Sequence, residues 1–458
     1  MHRYGGKLRD SIIRYTLVLL LAVSISGPRT QPLPVQAPNP AGRLEQVRGI
    51  RILHLQGSPY EMGLQQGALL RDPLRELVRN YLYERIVLER PASHFWLLAY
   101  ARLLEGEVPR DLRREMQGIA DGAGLSYQDV LLLNTVPDLL ALTYRLPSWE
   151  SFPLLFSSTK QSANLPQSTF CAAFAVWGRA TLGGELIVGH NFGFDGAQLT
   201  GPGVAPFGQA QGRQPKDDAE TDLLSQYLLV VVRRPSQGNA FVSLGLMGMV
   251  GVWAGMNEEK ITTTLSSSPS VDVASSGQPL PFLLRQVLER AGDLTEAVNV
   301  ILASRRLYGG NVIIGDGKAP EAIAIELSAH RHSIFKANTE SGLLARTNHF
   351  LDPELALAQR DVLSEQERAA STARLNRLQS LLEFNSNWIG VEKGLTFLRD
   401  DYDARASSGR GSDQMVYGPY TLQSILFYPG RLAVWVANGN PMTPYTKLDL
   451  TLSLRRHR

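Results

Sequence analysis

The 458-residue chain has a single cysteine, Cys171, so no disulfide can form within it. It has no long run of like charge. Its 46 Lys and Arg and 43 Asp and Glu are spread along the chain for a net charge of +3, which excludes the electrostatic footprint of a nucleic-acid binder. There is no His-Glu-x-x-His, and His54 and His94 stand alone without a second histidine at ligand spacing, so no metal or cofactor is implied. There are no internal repeats and no heptads, which excludes solenoids and coiled coils. No apolar run reaches the about 20 residues of a membrane span. What remains, 44% hydrophobic and 19% charged residues, is an ordinary globular chain long enough to need no staples.

His2, Arg3, Lys7, Arg9 and Arg14 precede the apolar run Tyr15 to Gly27, with small Ser24 and Ser26 near its end. A basic start followed by such a run marks export, to a periplasmic or extracellular location. Ile12 and Ile13 lengthen the run across Arg14, so residues 1–27 read either as a cleaved signal peptide or as a retained membrane anchor. No cysteine follows closely, which excludes a lipoprotein anchor. Residues 28–49 read as a flexible linker, rich in Pro, Gln, Asn and Ala over 28–43. Oligomeric state is not legible.

From Ile50 to about Asp138 the pattern is mostly helical, with Leu74, Leu77, Val78, Tyr81, Leu82, Ile86 and Val87 at helical spacing. A second helix, near Leu112 to Ala123, ends at Gly122 and Gly124, and Ser126 caps the next. Residues 145–169 form a Ser- and Pro-containing loop that leads to Cys171. Beyond it, strands are predicted over 172–177, 185–189, 227–233, 241–246 and 261–265, then helix over 281–304 broken near Gly292 and Asp293. Strands over 311–315, 322–327 and 332–335 follow, then a polar helical stretch over 354–382 and a final hairpin over 421–437. Residues 201–222 read as an exposed insertion, and the Ser266–Ser268 run as loop. The order of elements implies an α+β fold dominated by antiparallel pairs.

A lone thiol in an exported chain is a buried small hydrophobe, a partner in an intermolecular disulfide or a reactive group. Cys171 opens a strand directly after an irregular polar loop, where cutting would free its amino group. An α-amine with a reference pKa near 8 can then act as the base for the thiol.

Several blocks in order resemble one family. They are Gly57-Ser-Pro-Tyr-Glu-Met-Gly63-Leu-Gln-Gln-Gly67, Gly118 to Ser126 running on to Asn134, Cys171, Gly189-His-Asn-Phe-Gly-Phe-Asp195, Gly251 to Asn257, and Arg346-Thr-Asn-His349. Together they are similar to the isopenicillin-N (acyl-CoA:6-aminopenicillanate) acyltransferase-like enzymes, autoproteolytic N-terminal nucleophile hydrolases to which choloylglycine hydrolases are more distantly related. The resemblance implies a four-layer αββα sandwich. It also implies cleavage between Phe170 and Cys171, a helical α-chain over 50–170 and a β-chain over 171–458, with 50–458 forming one integrated domain. It implies a thioester on Cys171 and a small N-acyl substrate, with Asn348 holding the oxyanion. Asn257 is a second candidate for that role or an ordinary turn residue, and His349 is read as structural. The family commonly has aspartate where this chain has Gly193, and Asp195 is the candidate replacement. Arg405 and Arg410 lie where the family places a functional arginine, but are read as ordinary solvated charges. The alternatives are a phospholipase B-like lipid acyl hydrolase and a catalytically silent binding protein on the same scaffold.

Overall fold

A computed structural model describes residues 42–87, 91–142, 170–194, 224–337, 342–402, 414–439 and 442–454. Strands β1 (Arg43–Val47) and β2 (Ile50–Gly57) form a hairpin turned at Arg48 and Gly49, both at positive φ. The linker expected over 28–49 therefore gives way to sheet by Arg43, and the helical reading fails over 50–57. β2 is buried on both faces, and its alternation of apolar with polar residues (Arg51, His54, Gln56) changes phase at Ile52–Leu53, so it lacks the single polar face of a surface strand. Residues 1–41, 143–169 and 195–223 lie outside the described residues, and with them the export segment, the loop before Phe170 and the insertion at 201–222.

Five helices follow the hairpin: α1 (Pro59–Leu69), α2 (Arg71–Leu77, continued in wider turns to Val87), α3 (Pro91–Glu105), α4 (Arg110–Ala123) and α5 (Tyr127–Leu142). Ser58 and Glu61 cap α1 reciprocally, and a left-handed Gly124 ends α4. Then come β3 (Ala172–Gly178), β4 (Gly184–Gly193), β5 (Leu228–Pro235), β6 (Phe241–Leu246), β7 (Ala254–Asn257) and β8 (Ile261–Ser267). The Ser266–Ser268 run expected as loop begins as the end of β8. The rest is α6 (Leu280–Arg290), α7 (Leu294–Leu302), β9 (Gly310–Asp316), β10 (Glu321–Leu327), β11 (His332–Lys336), β12 (Leu343–Arg346), α8 (Pro353–Gln359), α9 (Glu365–Phe384), α10 (Val391–Leu398), β13 (Thr421–Tyr428), β14 (Ala433–Asn438), β15 (Thr446–Asp449) and α11 (Thr451–Leu454).

The strands form two sheets, ordered β1-β2-β5-β6-β7-β8-β9-β10-β11 and β12-β3-β4-β13-β14-β15. Every pairing is antiparallel except β2 with β5. Three apolar clusters fix the layers. Leu53, Leu55, Leu229 and Val231 of the large sheet pack with Leu74, Met116 and Leu284 of helices. Alternate residues of the same strands, Ile52, Val230 and Val232, pack with Ala173, Ala175 and Val188 of the small sheet. The outer face of the small sheet, at Phe174, Val176 and Ile187, packs with Leu375, Leu378 and Leu398 of helices. The fold is thus α+β, with two sheets face to face between helical layers.

The glycine-rich blocks at 57–67 and 118–124 are one packing device. α1 and α4 cross backbone to backbone through Gly63, Gly67, Gly118 and Gly122. A Cβ on Gly63 would stand 2.0 Å from Glu115 O, and one on Gly118 would stand 2.2 Å from Tyr60 O. Ala at Gly118 would gain about 1 kcal/mol of helix propensity. The clash is with backbone atoms that cannot swing aside, and overpacking of this kind costs about 1–3 kcal/mol. Gly118→Ala is therefore expected to lower the thermal midpoint, and an unchanged or raised midpoint would contradict the close crossing.

Candidate functional site

The segment before Cys171 extends the β3–β4 ladder, because Phe170 N donates to Gly193 O at 2.9 Å. Cys171 is fully buried. Its strand alternation places it on the inner side with Ala173 and Ala175, toward the large sheet. β12 pairs with β3 from Arg346↔Ala173, so the residues after Arg346 run alongside Cys171. This register brings Asn348 to the nucleophile.

Asn348 joins the two sheets. Its Oδ1 accepts from Cys171 N at 2.9 Å and from Arg374 Nη2 at 2.8 Å, and its Nδ2 donates to Ser267 O, at the end of β8, at 2.9 Å. Ser371 of α9 braces the segment: its Oγ accepts from Asn348 N at 3.0 Å and lies 2.8 Å from His349 Nδ1. Burial pushes the Cys171 thiol up. The Gly193 backbone, the Arg374 charge, the Asn348 amide and the Ser267 backbone oppose it without overcoming it. A thiol held this way stays protonated until a base is supplied.

Phe170 occupies a defined place. Its ring stacks on Tyr420 with centroids 4.5 Å apart, and Arg374 Cζ lies 5.5 Å from its centroid. Gly193 makes this possible, since a Cβ there would stand 2.7 Å from Phe170 O and 3.0 Å from Phe170 Cβ. The missing carboxylate at Gly193 therefore coincides with a bulky residue before the nucleophile. His190 pairs with Ala173 and is fully buried. Burial, only partly offset by the Leu265 backbone, pushes its imidazole down to about 4, so it is neutral.

Of the residues singled out in the sequence, Cys171, Phe170 and Asn348 come together. Asn257 does not. Its Nδ2 donates to Leu288 O and Ala291 O at 2.9 and 2.8 Å, and its Oδ1 accepts from Ile261 N at 2.9 Å. It ties off the end of α6 at the opposite end of β8 from Ser267, about 20 Å along the strand. It closes β7, and its carbonyl accepts from Lys260 N in the turn to β8. His349 bonds Thr347 and Ser371, and burial with nearby arginines pushes it down to about 4. Asp195, Arg405 and Arg410 lie outside the described residues.

Sequence reasoning missed Arg374 and Ser267. α9 buries Ala370, Ser371, Arg374, Leu375, Leu378 and Leu382. An arginine inside that helical stripe was the available signal, since an unpaired charge is almost never fully buried. Ser267 contributes through its backbone, which side-chain patterns do not display.

A profile of the family "Acyl-coenzyme A:6-aminopenicillanic acid acyl-transferase" matches residues 214–443, half of the chain. The chain belongs to this family. That family is one of acyl-transferases. An uncharacterised protein of Archaeoglobus fulgidus is 27% identical over 95% of this chain and 71% of its own length. Protein dcd1B of Dictyostelium discoideum is 21% identical over 63% of this chain, which spans only 53% of that protein. The structure of a Caenorhabditis elegans N-acylethanolamine-hydrolyzing acid amidase ortholog superposes with a TM-score of 0.35 at 16% identity, over 57% of this chain and 93% of that one.

Proposed function

We propose that the chain is a self-processing cysteine amidohydrolase or acyltransferase that takes the acyl group of a small N-acyl compound onto Cys171. The bond of Cys171 N to Asn348 Oδ1 at 2.9 Å, on an oxygen also held by Arg374 at 2.8 Å, carries the reading. A nitrogen that becomes a free amine needs a holder that outlasts the cut, and the Asn348 carbonyl supplies one. This gives Asn348 an orienting task beside the oxyanion role its motif suggested.

In processing, Cys171 Sγ attacks the Phe170 carbonyl carbon. The C–S bond forms, the C–N bond breaks and the nitrogen takes the thiol proton. Water then hydrolyses the thioester, leaving a Phe170 carboxylate, a free thiol and a free amine. In turnover that amine takes the thiol proton, Sγ attacks the substrate amide, and the leaving nitrogen receives the proton as the C–N bond breaks. Water or an acceptor amine then takes the acyl group. The Asn348 amide and the Gly193 backbone, both beside the sulfur, are the groups proposed to hold the developing oxyanion.

Intact mass and N-terminal sequencing test the reading. Two fragments, the second beginning at Cys171, are expected, and a single chain in active protein overturns it. The same sequencing tests export, proposed on residues 1–27. Among the described residues no helix is long and apolar enough to cross a membrane.

Gly193 gives a further expectation. Gly193→Ala places a methyl group against the Phe170 backbone, at a cost that corresponds to roughly tenfold slower processing. A gel time course of fragment formation checks it. Unchanged processing would show that Phe170 does not need the room.

A further inference from the structure

We infer that the place held by Phe170 in the uncut chain becomes the acyl subsite of the mature enzyme, and that it selects 3-arylpropanoyl groups, best when the α-carbon carries an N–H. The inference rests on the proposed thiol chemistry. Processing and turnover then share one thioester on one sulfur, so the acyl chain leaves Cys171 from the same atom in both. The uncut chain thus displays the acyl group of its own first reaction.

That acyl group has a defined chemistry. In Phe170 the ring stands two carbons from the reacting carbonyl. It stacks on Tyr420 at 4.5 Å with an interplanar angle of 23°, and Arg374 covers it at 5.5 Å. A flat ring packs against both of these groups, whereas a straight alkyl chain leaves the stacking unmade. The backbone beside the ring is specific as well, since Phe170 N donates to Gly193 O at 2.9 Å. A substrate with an N–H on the α-carbon repeats this bond, and one with a plain methylene leaves that carbonyl without it. Gly193 floors the space, because any side chain there would enter it. Phe170 itself is 9% exposed, so the ring sits in an enclosed place.

In turnover Cys171 Sγ bonds the acyl carbon, the amide C–N bond breaks, and the thiol proton passes through the α-amine to the leaving amine. Water then returns the acid and the thiol. The test uses the full, processed chain with coumarin amides of N-acetylphenylalanine, 3-phenylpropanoic, hexanoic and acetic acids. Acyl-loading of Cys171 by the thioesters of the same acids is followed by mass in parallel. The expected order of kcat/KM and of loading is N-acetylphenylalanyl, 3-phenylpropanoyl, hexanoyl, acetyl. The ring is worth about tenfold over hexanoyl, the order of one aromatic contact.

Tyr420→Ala should cut the ratio of 3-phenylpropanoyl to acetyl by about tenfold. A general loss of structure would lower both rates and keep the ratio. Hexanoyl equal to or better than 3-phenylpropanoyl in the wild type overturns the subsite and leaves the thiol chemistry standing, as does an unchanged ratio in Tyr420→Ala. No loading of Cys171 by any donor overturns the thiol chemistry, and the subsite with it.

Discussion

Cys171→Ala is expected to give one uncut chain with no acyl transfer, a loss on the order of 10⁵- to 10⁶-fold, as seen when a covalent nucleophile is removed. The chain has no second thiol to take over, since Cys171 is its only cysteine. One sulfur is proposed for both the cut and the turnover, so one substitution should abolish both. The folded chain should survive, because a fully buried cysteine loses only a small apolar group. Circular dichroism matching the wild type, together with a single band and no hydrolysis of any amide, is the expected set of results. Cys171→Ser separates the two steps further, since a hydroxyl is the weaker nucleophile and should slow the cut before it abolishes it. A Cys171→Ala protein that still splits before residue 171 would assign the cut to another protease. One that still hydrolyses amides would remove Cys171 from the mechanism altogether.

Much of the fold was legible because burial writes a periodic pattern. β6 (Phe241–Leu246) falls on the predicted residues, and the break between α6 and α7 falls at the Gly292-Asp293 pair. Asp293 caps α7 by accepting from Glu296 N. β2 was misread because Ile50, Leu53 and Leu55 bury both faces, and such a run carries neither period cleanly. The blocks that resemble the family were legible as a set but not as roles. The glycines at 63, 67, 118 and 122 serve helix packing, and Asn134 ties α5 to the chain near Gly248 and Val250. Of the quoted candidates among the described residues, Phe170, Cys171 and Asn348 meet at the site. The meeting of Cys171 with Asn348 depends on the β12–β3 register, which links positions 177 residues apart. Local spacing does not encode such a register.

The largest loss of stability is expected from Glu115→Gln. Glu115 of α4 is fully buried between Arg233 of β5 and Arg285 of α6, with N–O distances of 3.0 and 2.7 Å. Burial alone would raise its carboxyl, but Arg285 and then Arg233 outweigh it and hold it below the usual carboxylate range. The arginines are satisfied beyond this pair, by Ser243 Oγ, Met249 O, Val250 O and Glu289. They also flank the Phe241 ring, with Arg285 Cζ 4.8 Å from its centroid. The amide of Gln keeps the shape of the carboxylate and removes its charge, leaving two guanidiniums with Glu289 as the only anion in the network. Breaking a buried pair this way costs about 3–5 kcal/mol. The position of the triad matters as much as its strength. Glu115 lies before Cys171, and both arginines lie after it. If the chain is cut at 170–171, the triad and the β2–β5 pairing hold the two fragments together. Chemical denaturation of cut protein should therefore show a lower midpoint for Glu115→Gln, with the fragments separating earlier on size exclusion. Replacing all three charges with apolar residues of similar volume should recover much of the loss, since the penalty comes from unpaired charge and not from lost volume. Equal midpoints for Glu115→Gln and the wild type would mean that this buried triad contributes nothing to holding the halves together.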